Sequence, residues 1–598
     1  MININILRIT LISICLLVAS AHSAWAEKVV YNALREAESD LDCVVREDRY
    51  SNVICETIFE PLLTYDYLAR PAKVIPNTAV AMPEITDNGT TYTFKIKPGI
   101  YFHPDPAFKN QKRELTAADY VFTFKRFYDP VVKSAWNWIF DGKIVGEDEA
   151  KAAEKKTGKS DYDLPWEGFK ALDRYTLRVK LKQPDYNFTY FMAMVNTGAQ
   201  AREVVEYYGL NIAQHPIGTG PFYLKSWLPK SKIVLLKFPD YREVYFDSEP
   251  GDDPIDQEVV KALKGKRLPI VDRVEVDMIA ETQPRLLAFL NKEHDYIEEV
   301  DFEFIHQVAP GGKPSPALAK QGVTIFPEVQ PELTYTWFNM EDPVVGGYTP
   351  DKIALRRAMI LGYNINEEIQ VIRKGQVIAA QSPIPPGVTG YDKNYKSPTA
   401  EYNPPKAKAL LDLYGYIDRD GDGYRERPDG SPLSLIITSP PTAEYRSQDE
   451  LWRKSMDALG IRVSFNKITF SEQIKAARLG TLQMRIAAWI ADYPDADNFL
   501  QLLYGPNSGQ SNECRFNLPE FNKMYLQAQR MPDSPERTKL YQDMAKLVSV
   551  YAPWKLGVHR KYTHLMYPWL LGYKKHPIML EPWKYVDIDV EKQKVARE

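Results

Sequence analysis

The 598-residue sequence is poor in cysteine, in histidine and in net charge, and each shortage excludes a class of protein. Four cysteines are too few for a small scaffold held together by disulfides. Lysine and arginine total 75 against 79 acidic residues, a net charge of −4, whereas nucleic-acid-binding proteins usually carry a basic excess. Beyond the N-terminus no stretch approaches 18 uninterrupted apolar residues, so we expect no transmembrane helix there.

The motifs of common enzyme classes are also missing. The eight histidines contain no H-E-x-x-H pair of a zinc helix, and the G-x-S-x-G motif of serine hydrolases does not occur. Thr157–Ser160 ends like a phosphate-binding loop, but Ala153 stands where that loop needs its first glycine. These absences favour a binding protein over an enzyme, and we expect it to require no cofactor.

The N-terminus has the features of an export signal. Ile9–Ser20 is a short apolar run, and Ala24–Ala26 is an A-x-A cleavage site directly before Glu27. A membrane anchor is the alternative, but the run is too short to span a bilayer comfortably. We predict a signal peptide over residues 1–26, whose removal from the 598 leaves a mature chain of 572 residues.

Three cysteines remain in the mature chain. Cys43 and Cys55 are close enough in sequence to pair across a short loop, which would leave Cys514 free. An exported compartment permits such a bond. The sequence alone leaves both the paired and the reduced state open.

Helical and strand patterns alternate along the chain. The apolar residues of Thr91–Lys97 alternate with polar ones, as in a half-buried strand. Thr116 and Asp119 form a capping box that opens a helix running to about Tyr128. Residues 246–266 are rich in Pro, Gly and Asp and suggest a surface loop. The mixture predicts an α/β fold.

Several segments together resemble the family 5 extracellular solute-binding proteins, the peptide-, dipeptide- and nickel-binding receptors of ABC importers. Each motif is weak alone, but they follow one another in the family's order and cover nearly the whole mature chain. The matching segments are Phe59–Leu63, Thr91–Phe102, Leu115–Asp119, Pro216–Phe222, Arg285–Asp295, Leu355–Ala358 and Trp489–Asp495.

The resemblance implies a type II periplasmic-binding-protein fold with two main lobes, a two-segment hinge and an inserted extra lobe. The hinge would lie near Tyr335–Asn339 and near Lys555–His559, and ligand would bind between lobes I and III. The implied boundaries are 1–26 for the signal peptide, 27–60, 191–331 and 556–598 for lobe I, 61–190 for the inserted lobe II and 332–555 for lobe III.

The resemblance also points to ligand-binding residues. In peptide-binding members an aspartate three residues after a tryptophan pairs with the ligand's α-ammonium group, which corresponds here to Asp492 after Trp489. Tyr493 is a neighbouring candidate. The alternative is that Trp489 belongs to the core and that Asp492 caps the following turn. Ser382 lies in a loop, Ala380–Pro386, that matches a segment bordering the cleft.

How a ligand carboxylate would be held is open. Some oligopeptide receptors carry an arginine three residues before the tryptophan, but this chain has Ile486 there and Arg485 one step earlier. On a strand, one step moves a side chain to the opposite face. Arg485 is therefore a candidate whose orientation differs from the family pattern.

A second candidate site is an acidic loop. Asp418, Asp420 and Asp422 occupy positions 1, 3 and 5 of a calcium-binding loop, and Asp429 falls at position 12. Three carboxylates within five residues repel one another unless a cation bridges them. The alternative is a hairpin turn rich in Asp and Gly. A calcium ion here would be structural.

We therefore predict a monomeric periplasmic receptor, without enzymatic activity, that delivers short peptides to an ABC permease and its ATPase subunits at the inner membrane. An oligosaccharide or another small solute is the alternative ligand, because aromatic side chains also stack on sugars. An exported hydrolase is a more distant alternative.

Overall fold

The computed structural model describes residues 26–36, 38–45, 48–134, 136–158, 160–580 and 582–598, so residues 1–25 of the predicted signal peptide lie outside it. Its strands are β1 Val29–Leu34, β2 Leu63–Tyr65, β3 Val74–Pro76, β4 Glu84–Thr86, β5 Thr91–Lys95, β6 Phe169–Asp173, β7 Thr176–Lys180, β8 Phe222–Leu228, β9 Lys232–Lys237, β10 Arg273–Met278, β11 Tyr296–Ile297, β12 Thr324–Val329, β13 Glu332–Phe338, β14 Val377–Ala379, β15 Ser434–Ser439, β16 Arg462–Lys467, β17 Met484–Ile490, β18 Trp554–Leu556, β19 Val558–Met566, β20 Leu570–Leu571 and β21 Asp587–Ile588.

Helices separate most of these strands, which confirms the α/β prediction. The α-helices are α1 Arg49–Ile58, α2 Ala117–Arg126, α3 Glu147–Thr157, α4 Phe188–Phe191, α5 Arg202–Tyr208, α6 Pro254–Leu263, α7 Thr282–Leu290, α8 Ile305–Val308, α9 Pro316–Lys320, α10 Pro350–Gly362, α11 Ile365–Glu367, α12 Pro404–Leu413, α13 Ala443–Asp457, α14 Phe470–Arg478, α15 Asp497–Leu500, α16 Pro519–Gln529, α17 Pro535–Tyr551 and α18 Val590–Arg597. None of the described helices is both long and apolar enough to cross a membrane.

Local sequence signals explain several of these elements. Strand β5 buries Tyr92 and Phe94 on one face, as its alternation predicts. Helix α2 starts at the predicted capping box, in which Asp119 accepts hydrogen bonds from the backbone and hydroxyl groups of Thr116. The loop prediction for residues 246–266 is wrong over Pro254–Leu263, because Asp253 caps a helix there and Val259 and Leu263 are buried.

The first lobe is built on a four-stranded sheet in the order β1-β10-β9-β8, in which β1 and β10 run parallel and the other pairs antiparallel. Helices α1 and α7 contribute to its hydrophobic core. Cys43 and Cys55 belong to that core and form a disulfide, while Cys514 is free and buried elsewhere. Of the disulfide-bonded and reduced states that the sequence left open, the structure contains the disulfide-bonded one.

The second lobe is inserted between α1 and β8. It contains an antiparallel sheet in the order β4-β5-β7-β6, on which α2 packs. Aromatic side chains fill its core, where Phe124, Phe140 and Phe169 contact one another. This core accounts for part of the high aromatic content of the sequence.

The third lobe contains a five-stranded mixed sheet in the order β16-β15-β17-β13-β18. Separate hydrophobic clusters lie on its two faces. Because side chains alternate along a strand, Arg485 and Trp489 of β17 point to one face and Ile486 and Ala488 to the other. The two faces of this sheet therefore carry different side chains.

Two short segments join the first and third lobes. The chain passes from β12 to β13 through Gln330 and Pro331, and from β18 to β19 through Gly557, while β12 and β19 pair with each other. A Cβ atom at Gly557 would lie 2.6 Å from the carbonyl oxygen of Thr334, so the close approach requires glycine. The first crossing precedes the predicted Tyr335–Asn339, which lies mostly within β13. The residue limits given above for each lobe stay a prediction.

Candidate functional site

The end of β17 places Trp489 and Asp492 around one buried amide. The Oδ1 atom of Asn498 accepts hydrogen bonds from the Trp489 ring nitrogen (3.0 Å) and from the Asp492 backbone nitrogen (3.1 Å). Its Nδ2 group donates to Asp492 Oδ2 at 3.0 Å. Asn498 is fully buried on α15, whereas Trp489 and Asp492 are partly exposed. One amide therefore fixes an indole and a carboxylate side by side.

A tyrosine hydroxyl lies within electrostatic range of Asp492. Tyr65 of β2 is 3% exposed, and its hydroxyl has no hydrogen-bond partner among the described residues. Burial raises the pKa of Tyr65 well above its usual value, and the nearby carboxylates of Asp492 and Glu56 raise it further. A buried hydroxyl without a partner is costly, so this position suits a polar group supplied by a ligand or by water.

The residues after Asp492 connect the third lobe to the second. The Tyr493 ring stacks on Tyr190 at 5.8 Å and meets the edge of Phe191 at 5.3 Å. Its hydroxyl donates to Asp497 Oδ2 at 2.6 Å. The ring and hydroxyl of Tyr493 are thus both engaged by protein groups, and its contact with a ligand stays a prediction.

A buried arginine makes a second connection between these lobes. Arg537 of α17 donates to both oxygens of Asp495, at 2.8 and 3.2 Å, and to Asn187 Oδ1 of the second lobe at 2.7 Å. All three side chains are almost fully buried. Tyr493, through its ring, and Asp495, through Arg537, thus link the segment after Asp492 to the second lobe.

One edge of β17 is open beside this corner. Strand β13 pairs with β17 along its whole length, from Glu332 opposite Ile490 to Phe338 opposite Met484. On the other edge β15 pairs only with Met484 and Arg485. Within the described residues no strand covers the rest of that edge, so the backbone groups of residues 486–490 that point away from β13 have no strand partner there.

Comparison with known proteins identifies the architecture. Residues 73–511 match the family model described as "Bacterial extracellular solute-binding proteins, family 5 Middle", which is more than half of the chain. The chain belongs to this family. The family and the similar proteins described below are binding proteins, which agrees with the missing enzyme motifs.

The relatives of this family 5 protein are named for different ligands. It is 24% identical to di/tripeptide-binding protein 2 of Pseudomonas aeruginosa, covering 88% of this chain and 91% of the relative. It is also 24% identical to heme-binding protein A of Haemophilus influenzae, covering 85% and 83%. A solved structure of the ABC transporter-associated periplasmic binding protein DppA from Helicobacter pylori, in complex with the peptide STSA, superposes with a TM-score of 0.69 at 23% identity, covering 94% and 98%. That likeness confirms the periplasmic-binding-protein fold.

Arg485 is fully engaged by its own lobe. Its side chain is 4% exposed, forms an ion pair with Glu513 and donates through Nε to Gln473 Oε1 at 3.0 Å. The Trp337 ring nitrogen donates to the same Glu513 oxygen at 3.0 Å. The predicted displacement to the face opposite Ile486 agrees with the strand register. Its contact with a ligand stays a prediction.

Ser382 lies next to the second crossing segment. Its hydroxyl oxygen accepts a hydrogen bond from the Ile384 backbone at 3.1 Å, and the nearby Ala380 nitrogen donates to the Gly557 carbonyl at 3.0 Å. The side chain is 5% exposed. The loop is therefore tied to the hinge, and a ligand contact by Ser382 stays a prediction.

The acidic loop gathers a different set of carboxylates from the predicted one. Oxygen atoms of Asp418, Asp420 and Glu426 lie within 4.8 Å of one another. Asp422 instead forms an ion pair with Arg462, and Asp429 accepts hydrogen bonds from Ser431. In the structure the loop therefore brings two of the four predicted aspartates together and adds a glutamate, and calcium binding stays a prediction.

Sequence reasoning missed Asn498 and Tyr65. Asn498 lies six residues after Asp492 on a short helix, a position that carries no recognisable motif. Tyr65 lies more than 400 residues earlier and is brought close only by the fold. The one available signal was the unusual density of Asp and Asn in residues 492–498, which suggests a hydrogen-bonded turn.

Proposed function

We propose that this protein binds short peptides between its first and third lobes in the periplasm and, as a monomer, delivers them to an ABC permease driven by ATPase subunits. The observation that carries the proposal is the open edge of β17 that ends at Trp489 and Asp492. An extended peptide can add to such an edge through main-chain hydrogen bonds, which work for many side chains. A sugar or a porphyrin has no matching row of backbone groups.

The chemistry at the end of that edge suits a peptide's N-terminus. Asp492 is a carboxylate held in place by Asn498, and charge-assisted hydrogen bonds to an ammonium group are among the strongest in proteins. Trp489, fixed by the same amide, offers a flat apolar wall to the neighbouring side chain. The di/tripeptide-binding relative and the peptide-bound structural neighbour support this ligand class.

The first experiment identifies the natural ligand. The purified protein is denatured, and the released small molecules are analysed by mass spectrometry and visible absorbance. Short peptides are the expected finding. Because one relative is named for heme, hemin is an explicit alternative readout. A co-purified glycan or hemin without any peptide would contradict the proposal.

The second experiment removes the carboxylate of Asp492. Calorimetric titration with trialanine should show binding to Asp492→Asn weakened by roughly 10- to 100-fold, because one charge-assisted hydrogen bond is lost. N-acetyl-trialanine, which lacks the ammonium group, should bind the variant and the wild type equally. Asp543→Asn is the matched control, since Asp543 pairs only with surface lysines of its own helix in the bonds described. Equal trialanine titrations for Asp492→Asn and wild type would reject this role.

A further inference from the structure

A small pocket of about 10 Å³, which has room for one water-sized group, lies on the face of the third-lobe sheet opposite Trp489. Thr334, Thr336 and Ile486 form its floor, Lys555 and Gly557 belong to the second crossing between the lobes, and Trp452 of α13 forms part of its wall. Ile486 is also the residue at which the open edge of β17 begins. The pocket therefore adjoins both the hinge and the proposed peptide-binding edge.

Lys555 is a buried cation held loosely. Its side chain is 5% exposed, and its Nζ atom lies 3.6 Å from the nearest Glu368 oxygen, beyond an ordinary hydrogen bond. The ammonium group also lies 3.6 Å from the centre of the Tyr363 ring. Burial lowers the pKa of Lys555, and the carboxylate of Glu368 opposes that shift. Lys555 thus lies in a desolvated place, where a carboxylate at 3.6 Å and an aromatic ring are the groups described around its Nζ atom.

The carboxylate of Glu368 makes its short hydrogen bonds to neutral groups. Oε2 accepts from the Tyr363 hydroxyl at 2.9 Å, and Oε1 accepts from Gln448 Nε2 at 3.1 Å. Residues Glu368–Ile372 form a π-helical turn, which brings Arg373 above Glu368, with 3.9 Å between Arg373 Nε and Oε1. One carboxylate thus faces two cations, Lys555 and Arg373, at 3.6 and 3.9 Å.

Gln448 gives a second, independent indication of a ligand. It is 4% exposed and lines the pocket, and its Oε1 atom is a buried acceptor without a hydrogen-bond partner among the described residues. A group that enters the pocket must therefore bring a hydrogen-bond donor to Gln448 as well as negative charge to Lys555. A peptide can supply the negative charge and the hydrogen-bond donor together, because an amide N–H lies close to its carboxylate.

From this arrangement we infer that Lys555 binds a carboxylate group of the peptide ligand, with Gln448 accepting a neighbouring amide N–H. The inference rests on the proposed function and adds the anionic half of the recognition. It also assigns a role that Arg485 cannot fill while Glu513 occupies its guanidinium. The carboxylate is either the C-terminus or an acidic side chain, and the experiment separates the two sources.

The test compares matched ligands on wild type and on Lys555→Met. Tetra-alanine is titrated as the free acid and as the C-terminal amide, and an amidated tetrapeptide containing Glu is compared with its Gln counterpart. In at least one of these pairs, wild type should bind the acidic ligand at least about tenfold more tightly than its neutral counterpart. Lys555→Met should reduce that preference to within about threefold. A preference for the free acid identifies the C-terminus, and a preference for Glu identifies a side chain.

Two further variants keep the test decisive. Lys555→Gln retains a polar side chain, and it should lose the preference in the same way if the Met variant folds poorly. Lys467→Met is the control, because Lys467 forms an ion pair with Asp449 in the same lobe and does not line the pocket. It should keep the full preference.

Three outcomes overturn the inference, and one of them also overturns the proposed function. Wild type that binds peptides through Asp492 but does not distinguish acid from neutral ligands contradicts the role of Lys555 alone. A preference for the acidic ligand that persists in both Lys555 variants also contradicts the role of Lys555 alone. Wild type that binds none of the peptides rejects the proposed function, and the inference falls with it.

Discussion

Arg485 and Lys555 are two buried cations on opposite faces of one sheet, and their surroundings differ. Arg485 has a carboxylate from Glu513 and an amide oxygen from Gln473 within hydrogen-bond distance. Lys555 has its nearest carboxylate, that of Glu368, at 3.6 Å. The two side chains are nearly equally buried, with 4% and 5% exposure, so burial alone does not separate a structural cation from a binding one. The two cations differ instead in how completely their charged groups are hydrogen-bonded.

The side chains themselves suit the two roles. A guanidinium group is planar and binds carboxylates through several fixed donors, so Arg485 is well matched to a permanent partner. An ammonium group is compact and can reorient on its flexible stem, so Lys555 can accept a ligand in different positions. The comparison predicts that Arg485 contributes mainly to stability and Lys555 mainly to ligand selection.

The largest expected effect is on stability. Arg485→Met should lower the free energy of unfolding by about 3–5 kcal/mol, because it breaks a close ion pair and leaves the Glu513 carboxylate with the hydrogen bond from Trp337 but no cation. Lys555→Met should change it by about 1 kcal/mol or less, since Glu368 keeps its bonds to Tyr363 and Gln448. Urea denaturation followed by tryptophan fluorescence measures both values.

A double variant isolates the reason for that loss. Adding Glu513→Gln to Arg485→Met removes the unpaired charge, so the double variant should recover at least half of the lost stability. Equal losses for the two single variants would show that the two faces are not distinct. An undiminished loss in the double variant would show that packing, and not charge, makes Arg485 important.

The sequence predicted what depends on neighbouring residues. Alternation gave β5, the capping box gave the start of α2, and the strand period placed Arg485 opposite Ile486. The resemblance gave the family and the multi-lobed fold. These features follow from local spacing or from motif order, both of which a single sequence contains.

The pocket around Lys555 could not be predicted in that way. Glu368 and Lys555 are 187 residues apart, and they meet only because α11 and the following turn pack beside β18. The missed helix Pro254–Leu263 has a related cause, since Val259 and Leu263 gain their burial from distant aromatic residues such as Tyr585. Composition favoured a loop, and tertiary packing decided otherwise.

A smaller effect should appear in the pH dependence of ligand choice. Burial lowers the pKa of Lys555, so its charge is lost as the pH rises through that lowered value. The wild-type preference for the acidic ligand should therefore fall as the pH is raised, and it should do so below the ordinary lysine pKa of about 10.4. Calorimetric titrations of acidic and neutral ligands at each pH give the ratio.

The matched variant for this experiment is Lys555→Arg. A guanidinium group stays protonated throughout the range, so the preference should remain constant with pH. Titration of the ligand's own ammonium group affects both members of each pair and cancels in the ratio. A wild-type ratio that does not change with pH would mean that Lys555 does not supply the charge that selects the ligand.

A further effect concerns a third charged region, where carboxylates are in excess. Asp418, Asp420 and Glu426 bring oxygen atoms within 4.8 Å, and Glu426 occupies position 9 of the loop, not the predicted position 12. If calcium bridges them with a dissociation constant of about 0.1–1 mM, as in weak extracellular sites, 10 mM calcium should stabilise the fold by roughly 1–3 kcal/mol.

Two aspartates of this loop make that prediction specific. Asp420→Asn should abolish stabilisation by calcium, whereas Asp429→Asn should preserve it, because Asp429 bonds to Ser431 and lies outside the cluster. Thermal unfolding with calcium and with a chelator measures the difference. Identical curves in both conditions for wild type would mean that the loop is a hairpin turn whose carboxylates are held by backbone N–H groups, as Asp418 is by Gly421 and Gly423. In that case the uncompensated charge of this region, unlike that of Lys555, is balanced by solvent, because Asp418 and Asp420 are exposed and Lys555 is not.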